Sequence, residues 1–360
     1  MTEIINHKKG RIAYVDFMKA LGMLTIIWGH IMLSGITNSM VYAFHIPLFF
    51  FLSGLMFRSS KYPSFVGFIK NRVHSLLIPY VVFSFLTWCV WAGYSYISHA
   101  EVDSYIMPLM QTFIAQGSGG FLVHNVPLWF VTCLFVVECL YFFIAKLPTC
   151  SKIVVCIVCG IVGSWMSLDH SFFNFRLLPW NIEVAFAAIP FYAIGNLMIE
   201  HFTHKEIINI VTDNKMRSIA AFMLSSALLW LGAYVNGSVS MGSNHLNIFF
   251  VFYGAAVCGI VMMLILCIWL STMRNNYFWK FMEWFGKNSY TSMVIHNPIK
   301  GIVVVIVSKY LMNISDFYEA ECTTICYIPI DYIFSIIAFI LSLAITCIGI
   351  VFINFMKQKI

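Results

Sequence analysis

The sequence predicts an all-α polytopic integral membrane protein of about ten transmembrane helices, with both termini in the cytoplasm. The first observation is composition: the 360 residues are 61% hydrophobic and 10% charged, whereas a soluble domain is about 45–50% apolar and about 25% charged. The second is that the apolar residues form long runs, with a mean hydropathy of +0.86 for the chain. The third is that basic residues occur in alternate connecting segments. This composition excludes a soluble enzyme, a nucleic-acid-binding protein and a disordered scaffold.

Ten apolar runs are long enough to cross a membrane. A hydrocarbon core about 30 Å thick needs about 20 residues of helix, because the helix satisfies every backbone polar group internally. The predicted spans are Val15 to Ile36, Met40 to Phe57, Leu76 to Ile97, Leu128 to Ala145, Ile153 to Leu168, Glu183 to Ile199, Ser218 to Val235, Leu246 to Ser271, Tyr290 to Leu311 and Tyr332 to Phe355. No secretory signal peptide is evident, since the first run contains charges and lacks a small-residue cleavage site. We therefore expect a single membrane-embedded domain over residues 1–360.

The positions of the basic residues predict the orientation, because cytoplasmic loops carry an excess of Lys and Arg. The segments assigned to the cytoplasm contain Lys8, Lys9, Arg11, Arg58, Lys61, Lys70, Arg72, Lys146, Lys152, Lys205, Lys215, Arg217, Arg274, Lys280, Lys287, Lys357 and Lys359. The opposite segments contain Arg176 and several acidic residues, which are Glu101, Asp103, Asp169, Asp316, Glu319 and Glu321. The net charge of +6 therefore reflects topology rather than a surface for nucleic acid.

The cysteines and the common sequence motifs predict no metal site. Most of the 11 cysteines lie within apolar runs, where they are expected to be small buried hydrophobic side chains. Cys322 and Cys326 lie together in a polar loop and are the one candidate disulfide. The sequence contains no P-loop, no G-x-G-x-x-G before a helix and no H-E-x-x-H.

Ionisable side chains within the predicted spans are the first functional candidates, because such residues are costly in a bilayer. They are Asp16, Lys19, His30, His45, Glu138, His296 and Lys300. Lys19 and His30 are eleven residues apart, so they share one helix face at an axial separation of about 16 Å. Asp16 precedes Lys19 by three residues and can pair with it. The spacing alone also allows a snorkelling Lys19 and an ordinary interhelical hydrogen bond from His30.

Polar residues precede two prolines within the predicted spans. His45 lies near the outer end of the second run, just before Pro47, where it can serve either in chemistry or in a structural hydrogen bond. In the ninth run, His296 and Asn297 precede Pro298. The proline is expected to break that helix within the membrane, and broken helices at that depth line cavities more often than lipid.

Lys70 and Arg72, at the cytoplasmic entry to the third run, can bind anionic groups such as phosphates. Positive-inside anchoring explains them equally well. Glu138 is expected to pair with a basic residue of the bundle, and Gly54 to let another helix approach closely. The outward connection from His99 to Pro127 is expected to fold over an outer mouth.

Five motifs occur in an order that resembles the integral-membrane acyltransferase family 3. They are Lys19-x10-His30, the stretch FHIPLFFFLSG, the K-x-R before LLIPY, PLWF, and the late SYTSMVIHNP. The resemblance covers nearly the whole chain and is closest to the branch described as fucose 4-O-acetylase-like. Lys19 stands where many members have Arg, which marks this branch.

The resemblance implies an O-acyltransferase, with acetyl as the expected acyl group. Such an enzyme moves an acyl group from cytoplasmic acyl-CoA, here acetyl-CoA as donor, to a hydroxyl of a cell-surface polysaccharide or lipid-linked glycan. The implied compartment is a bacterial inner membrane. Lys19, Lys70 and Arg72 would hold the anionic end of the donor, and neither a metal nor nucleic acid is implied.

In this interpretation His30 is the general base that removes the proton of the acceptor hydroxyl, with an acylated His30 as the alternative mechanism. Asp16 would orient Lys19. His45 and Asn297 would orient the second substrate or stabilise the oxyanion. A multipass transporter or exporter of a glycan or small polar solute is the alternative function, and a membrane sensor is a weaker one. The acceptor sugar, its hydroxyl position and the oligomeric state are left open.

Overall fold

The structure, a computed structural model, describes residues 5–6, 11–32, 35–168, 178–272, 276–311 and 332–359. Its helices in chain order are α1 (Ala13–Met32), α2 (Ile36–Met56), α3 (Phe65–Arg72), α4 (Ile78–Ile97), α5 (Ile106–Gln111), α6 (Trp129–Ile144), α7 (Thr149–Met166), α8 (Ile182–His201), α9 (His204–Thr212), α10 (Lys215–Asn236), α11 (Phe249–Thr272), α12 (Tyr277–Lys287), α13 (Ser289–Leu311) and α14 (Tyr332–Lys359). A short antiparallel pair, β1 (Ile5–Asn6) and β2 (Arg11–Ile12), precedes α1. The candidate disulfide between Cys322 and Cys326 lies outside the described residues.

The all-α polytopic prediction is confirmed, and each of the ten predicted runs forms a helix. Among the described residues, nine helices are long and apolar enough to cross a membrane. α1 is not one of these nine, because Asp16, Lys19 and His30 lower its hydropathy. It packs against α2, α11, α12, α13 and α14, so its polar groups lie among protein helices rather than in lipid, as intramembrane charges usually do.

The third span is longer than predicted. α3, a π-helical turn (Val73–Leu77) and α4 form one helix over Phe65–Ile97. Ser64 caps its start by accepting a hydrogen bond from the Gly67 N–H at 3.2 Å. The Ile78 N–H donates five residues back to the Val73 carbonyl. π-turns of this kind occur frequently at functional sites, and this one follows Arg72 directly.

Glycines allow α2 and α8 to pack closely against each other. A Cβ added to Gly54 of α2 would lie 1.9 Å from the Tyr192 carbonyl oxygen, and one added to Gly195 of α8 would lie 2.1 Å from the Phe51 carbonyl oxygen. Small residues permit such backbone approach between helices. The predicted close approach at Gly54 is therefore confirmed. In contrast, α4, α10 and α14 leave much of their apolar surface uncovered, as expected for helices that face lipid.

The connecting segments predicted to share a face contact one another. On the predicted outer face, the Asn181 side chain donates to the Ala115 carbonyl at 2.7 Å and accepts from the Gly117 N–H at 3.1 Å. Trp129 packs so tightly against Gly117 and Gly242 that a Cβ on either glycine would come within 3 Å of the indole. The segment of residues 112–125, hereafter the outer loop, is thereby folded over the bundle.

Candidate active site

Three histidines from three helices meet in the bundle. The rings of His30 on α1 and His296 on α13 are stacked, with centroids 5.5 Å apart. Tyr42 of α2 connects this pair to the third histidine, since its ring centroid lies 6.4 Å from that of His30 and 4.9 Å from that of His45. His45 and His30 thus lie on either side of the same tyrosine ring. We refer to His30, His45, His296 and Tyr42 as the histidine cluster.

Backbone carbonyls fix the tautomers of two of these rings. The Nδ1 of His45 lies 2.6 Å from the Val41 carbonyl oxygen, and the Nδ1 of His296 lies 2.8 Å from the Met293 carbonyl oxygen. A carbonyl oxygen only accepts, so both Nδ1 atoms carry a proton and donate. In the neutral rings each Nε2 is left with its lone pair, and each can accept a proton or a hydrogen bond.

Of the three histidines in the cluster, His30 is the most exposed. His45 and His296 are 4% and 0% exposed, whereas His30 is half-buried. Within the described residues, the His30 ring makes no hydrogen bond, and the Nε2 of His296 is buried without a partner. The cluster therefore offers an unoccupied imidazole beside two fixed hydrogen-bond acceptors, an arrangement suited to proton transfer from a hydroxyl group.

α13 continues through Pro298, so the prediction of a broken helix is wrong. Proline has no N–H, and the Val294 carbonyl four residues earlier therefore loses its helical donor. The Asn125 side chain supplies a substitute, with its Nδ2 2.7 Å from the Val294 oxygen. This hydrogen bond joins the outer loop to the helical turn that carries His296.

At the opposite end of α1, Asp16 pairs with Arg11 rather than with Lys19. The Arg11 Nε and Asp16 Oδ2 atoms are 3.5 Å apart, and no salt bridge from Lys19 is found among the described residues. The direct Asp16–Lys19 salt bridge that the spacing allows is therefore not formed among the described residues. Arg11 lies just before α1, and its side chain rather than that of Lys19 contacts the Asp16 carboxylate. Backbone contact also fixes this turn, because a Cβ on Gly286 would lie 1.9 Å from the Asp16 carbonyl oxygen.

Lys19 itself is half-buried on α1. α1 is one continuous helix from Ala13 to Met32, so the predicted axial separation of about 16 Å between Lys19 and His30 is retained. The half-buried basic group and the half-buried imidazole thus lie at two levels of the same central helix.

The predicted ion pair of Glu138 is confirmed, and its partner is Arg72. Arg72 Nε and Glu138 Oε2 are 2.9 Å apart, and the two side chains are 20% and 6% exposed. The guanidinium also lies 5.2 Å from the Phe68 ring centroid. Lys70 is exposed, and no contact among the described residues joins Lys70 or Arg72 to Lys19. The three predicted donor ligands are therefore not gathered into one cluster.

The sequence does not single out several side chains that lie at or near the candidate site. Tyr42 and Asn125 lack any distinctive motif, although Pro298 signals that some donor is needed at Val294. His124 is 3% exposed, and both ring nitrogens are without a partner in the described part of the chain. Burial lowers the pKa of His124 from 6.5 to about 4. Tryptophan at the start of a span is commonly interfacial, whereas Trp129 is buried.

The remaining predicted residues lie on α13 after His296. Asn297 and Lys300 are both half-buried, which leaves the oxyanion role of Asn297 a prediction. Within the described residues, no group of three or more His, Cys, Asp or Glu side chains is arranged to hold a metal ion.

Comparison with known proteins gives one match. A family model described as an acyltransferase domain matches residues 12–355. No curated protein and no solved structure matches the chain significantly. The matched range extends from β2 to the last turns of α14, and it includes the histidine cluster, Lys19, the outer loop and the Arg72–Glu138 ion pair.

Proposed function

Because this integral membrane protein belongs to the acyltransferase family 3, we propose that it is an O-acetyltransferase. In this proposal the donor is cytoplasmic acetyl-CoA. The acceptor is a hydroxyl of a cell-surface polysaccharide or lipid-linked glycan, as in the fucose 4-O-acetylase-like branch, and the compartment is a bacterial inner membrane. The observation that carries the proposal is the half-buried His30 ring, stacked on His296 within a cluster whose other imidazoles have fixed tautomers.

His30 is the general base. One ring nitrogen takes the proton of the acceptor hydroxyl while the hydroxyl oxygen bonds to the thioester carbonyl carbon. The carbon–sulfur bond then breaks, and the CoA thiolate receives the proton from the His30 imidazolium, which leaves the acetyl ester and free CoA thiol. His30 acts as the base in its neutral form, and such assistance contributes about 10² to 10⁴ in rate.

His45 has a narrower role than an oxyanion donor. Its Nδ1 proton is already donated to the Val41 carbonyl, so its neutral ring can only accept a further hydrogen bond at Nε2. It is therefore suited to orient the acceptor hydroxyl. The side-chain amide of Asn297 has N–H donors and is the better candidate to stabilise the tetrahedral oxyanion.

The donor extends along α1 in this proposal. Its phosphates lie near Lys19 on the cytoplasmic side, and its pantetheine arm covers the distance of about 16 Å to His30. The ammonium group of Lys19 is suited to bind these phosphates, because Lys19 has no salt bridge among the described residues. Asp16 influences Lys19 electrostatically and not through a direct salt bridge, since the Asp16 carboxylate contacts Arg11. Lys70 and Arg72 contribute to attraction of the phosphates from outside this path.

The test is thiol release from acetyl-CoA by the detergent-purified protein, with His30→Ala and His30→Gln beside the wild type. His201→Ala is the control, because His201 is exposed and lies far along the chain in α8. We expect the His30 variants to lose about 10² to 10⁴ of the rate. They should stay folded, because a polar contact in a bundle contributes only about 0.6 kcal/mol.

Unchanged turnover in folded His30→Ala would refute the base assignment. Absence of both binding and turnover in folded wild-type protein would instead favour a transporter. Acid quenching without acceptor separates the two mechanisms, since only the covalent alternative leaves a labelled acetyl group on wild-type protein that His30→Gln lacks.

A further inference from the structure

The outer loop is attached to α13 at a position where the helix needs a hydrogen-bond donor. Val294 loses its helical donor because Pro298 has no N–H, and a buried carbonyl without a partner is destabilising. The Asn125 Nδ2 atom fills the gap at 2.7 Å. Both Asn125 and Val294 are fully buried, so bulk solvent does not compete for this bond.

The same turn of α13 holds the imidazole of His296. The Met293 carbonyl accepts from His296 Nδ1 at 2.8 Å, and the next carbonyl, that of Val294, accepts from Asn125 Nδ2 at 2.7 Å. Two consecutive carbonyls therefore fix a residue of the histidine cluster and a residue of the outer loop. Any displacement of this turn moves both together.

The outer loop carries polar groups that no described residue of the protein satisfies. Both ring nitrogens of His124 and the Oδ1 atom of Asn125 are buried without a partner among the described residues. Buried polar groups in folded proteins are nearly always hydrogen-bonded, so such exceptions point to a bound molecule or ordered water. The neutral imidazole of His124 offers one donor and one acceptor, which is also what a sugar hydroxyl requires.

We propose that the outer loop forms the acceptor-binding wall of the active site, and that Asn125 is the positioning residue that holds this wall against the histidine cluster. The acceptor part of this inference rests on the proposed function. Its chemical class is a polyhydroxylated sugar, recognised through hydroxyl groups next to His124. The hydrogen bond between Asn125 and Val294 is a structural feature independent of that function.

Substitution of Pro298 separates a positioning role from a purely structural one. In Asn125→Ala the Val294 carbonyl is unpaired, and we expect Tm to fall by roughly 3–6 °C. In the double variant Asn125→Ala/Pro298→Ala the new N–H at residue 298 again donates to Val294, so Tm should return close to the wild-type value. The outer loop, however, stays detached in the double variant.

Two measurements report on the loop itself. The first is amide hydrogen exchange of residues 112–125, which we expect to be faster in both Asn125→Ala and the double variant. The second is the acceptor KM, measured with radiolabelled acetyl-CoA and methyl fucoside as the probe. We expect it to rise about tenfold in both variants, because small misplacements of substrate-positioning groups have effects of that size or larger.

Asn236→Ala is the matched control, since the Asn236 Nδ2 also donates to a loop carbonyl, that of Leu246, at 3.1 Å. It should lower Tm and leave the acceptor KM unchanged. Recovery of both Tm and acceptor KM in the double variant would overturn the proposal, as would normal loop exchange in Asn125→Ala. If the wild type transfers nothing to the probe, the acceptor role fails with the proposed function, and loop exchange alone decides whether Asn125 holds the loop.

Discussion

The ion pair between Arg72 and Glu138 allows a quantitative test of what Arg72 does. The nitrogen–oxygen distance is 2.9 Å, and the side chains are only 20% and 6% exposed. Removal of one partner from a buried pair costs about 3–5 kcal/mol, because the other charge stays buried without compensation. Arg72 retains some solvent contact, so we take the lower end, about 3 kcal/mol, for Arg72→Ala.

The assay is equilibrium unfolding of Arg72→Ala, Glu138→Gln and the double variant in detergent. In Arg72→Ala the buried carboxylate of Glu138 has no compensating charge. The double variant also removes this carboxylate, so it should be more stable than Arg72→Ala. The coupling free energy between the two sites should be about 2 kcal/mol or more, within the range for contacting residues. Strictly additive losses would refute the argument that the two charges compensate each other.

The same variants test donor binding. If Arg72 also attracts the phosphates of acetyl-CoA, the double variant should regain stability and still show a raised KM for acetyl-CoA, with the acceptor KM unchanged. If both the KM for acetyl-CoA and the stability return to wild-type values in the double variant, Arg72 has only a structural role. Lys70→Ala is the matched comparison, because Lys70 is exposed and has no ion pair among the described residues.

Two further predictions concern packing and acid stability. Gly54→Ala and Gly195→Ala should each destabilise the bundle by roughly 3 kcal/mol or more in thermal unfolding, since the added Cβ would overlap backbone atoms. Gly93→Ala should be neutral or stabilising by up to about 1 kcal/mol, because nothing lies within 4 Å of its added Cβ. Burial lowers the pKa of His204 from 6.5 to about 4. The unfolded chain therefore binds more protons between these values, and stability should fall as the pH drops from about 6.5 towards 4. His204→Gln should flatten that part of the stability–pH curve relative to the exposed control His201→Gln, and an equal slope in both would contradict the assignment.

The spans were predictable because each depends only on a local run of apolar residues. Their ends were less so, since polar caps extend them. Asn214 caps α10 by accepting from the Arg217 N–H at 3.0 Å, and this helix begins three residues before the predicted start at Ser218. The third span continues back to Phe65 because its first turns are polar and carry no hydropathy signal.

The sequence alone identified which ionisable residues lie within the spans, but it did not identify the residues that they contact. Asp16 can reach both Lys19 and Arg11 by local spacing, and the sequence gives no reason to prefer Arg11. Glu138 was expected to pair, yet 66 positions of chain separate it from Arg72, and the packing of α6 against α3 and the π-turn brings them together. Long-range packing decides such choices.

The two prolines of the site show the boundary between local and long-range information most clearly. His45 and His296 each precede a proline by two residues, and in both cases Nδ1 bonds a carbonyl of the preceding helical turn. In both helices Nε2 is therefore left as the acceptor. The proline at position 298 indicates only that the Val294 carbonyl lacks its helical donor. That Asn125, 169 residues away, supplies the donor follows from how the outer loop folds over the bundle, and no local pattern contains that contact.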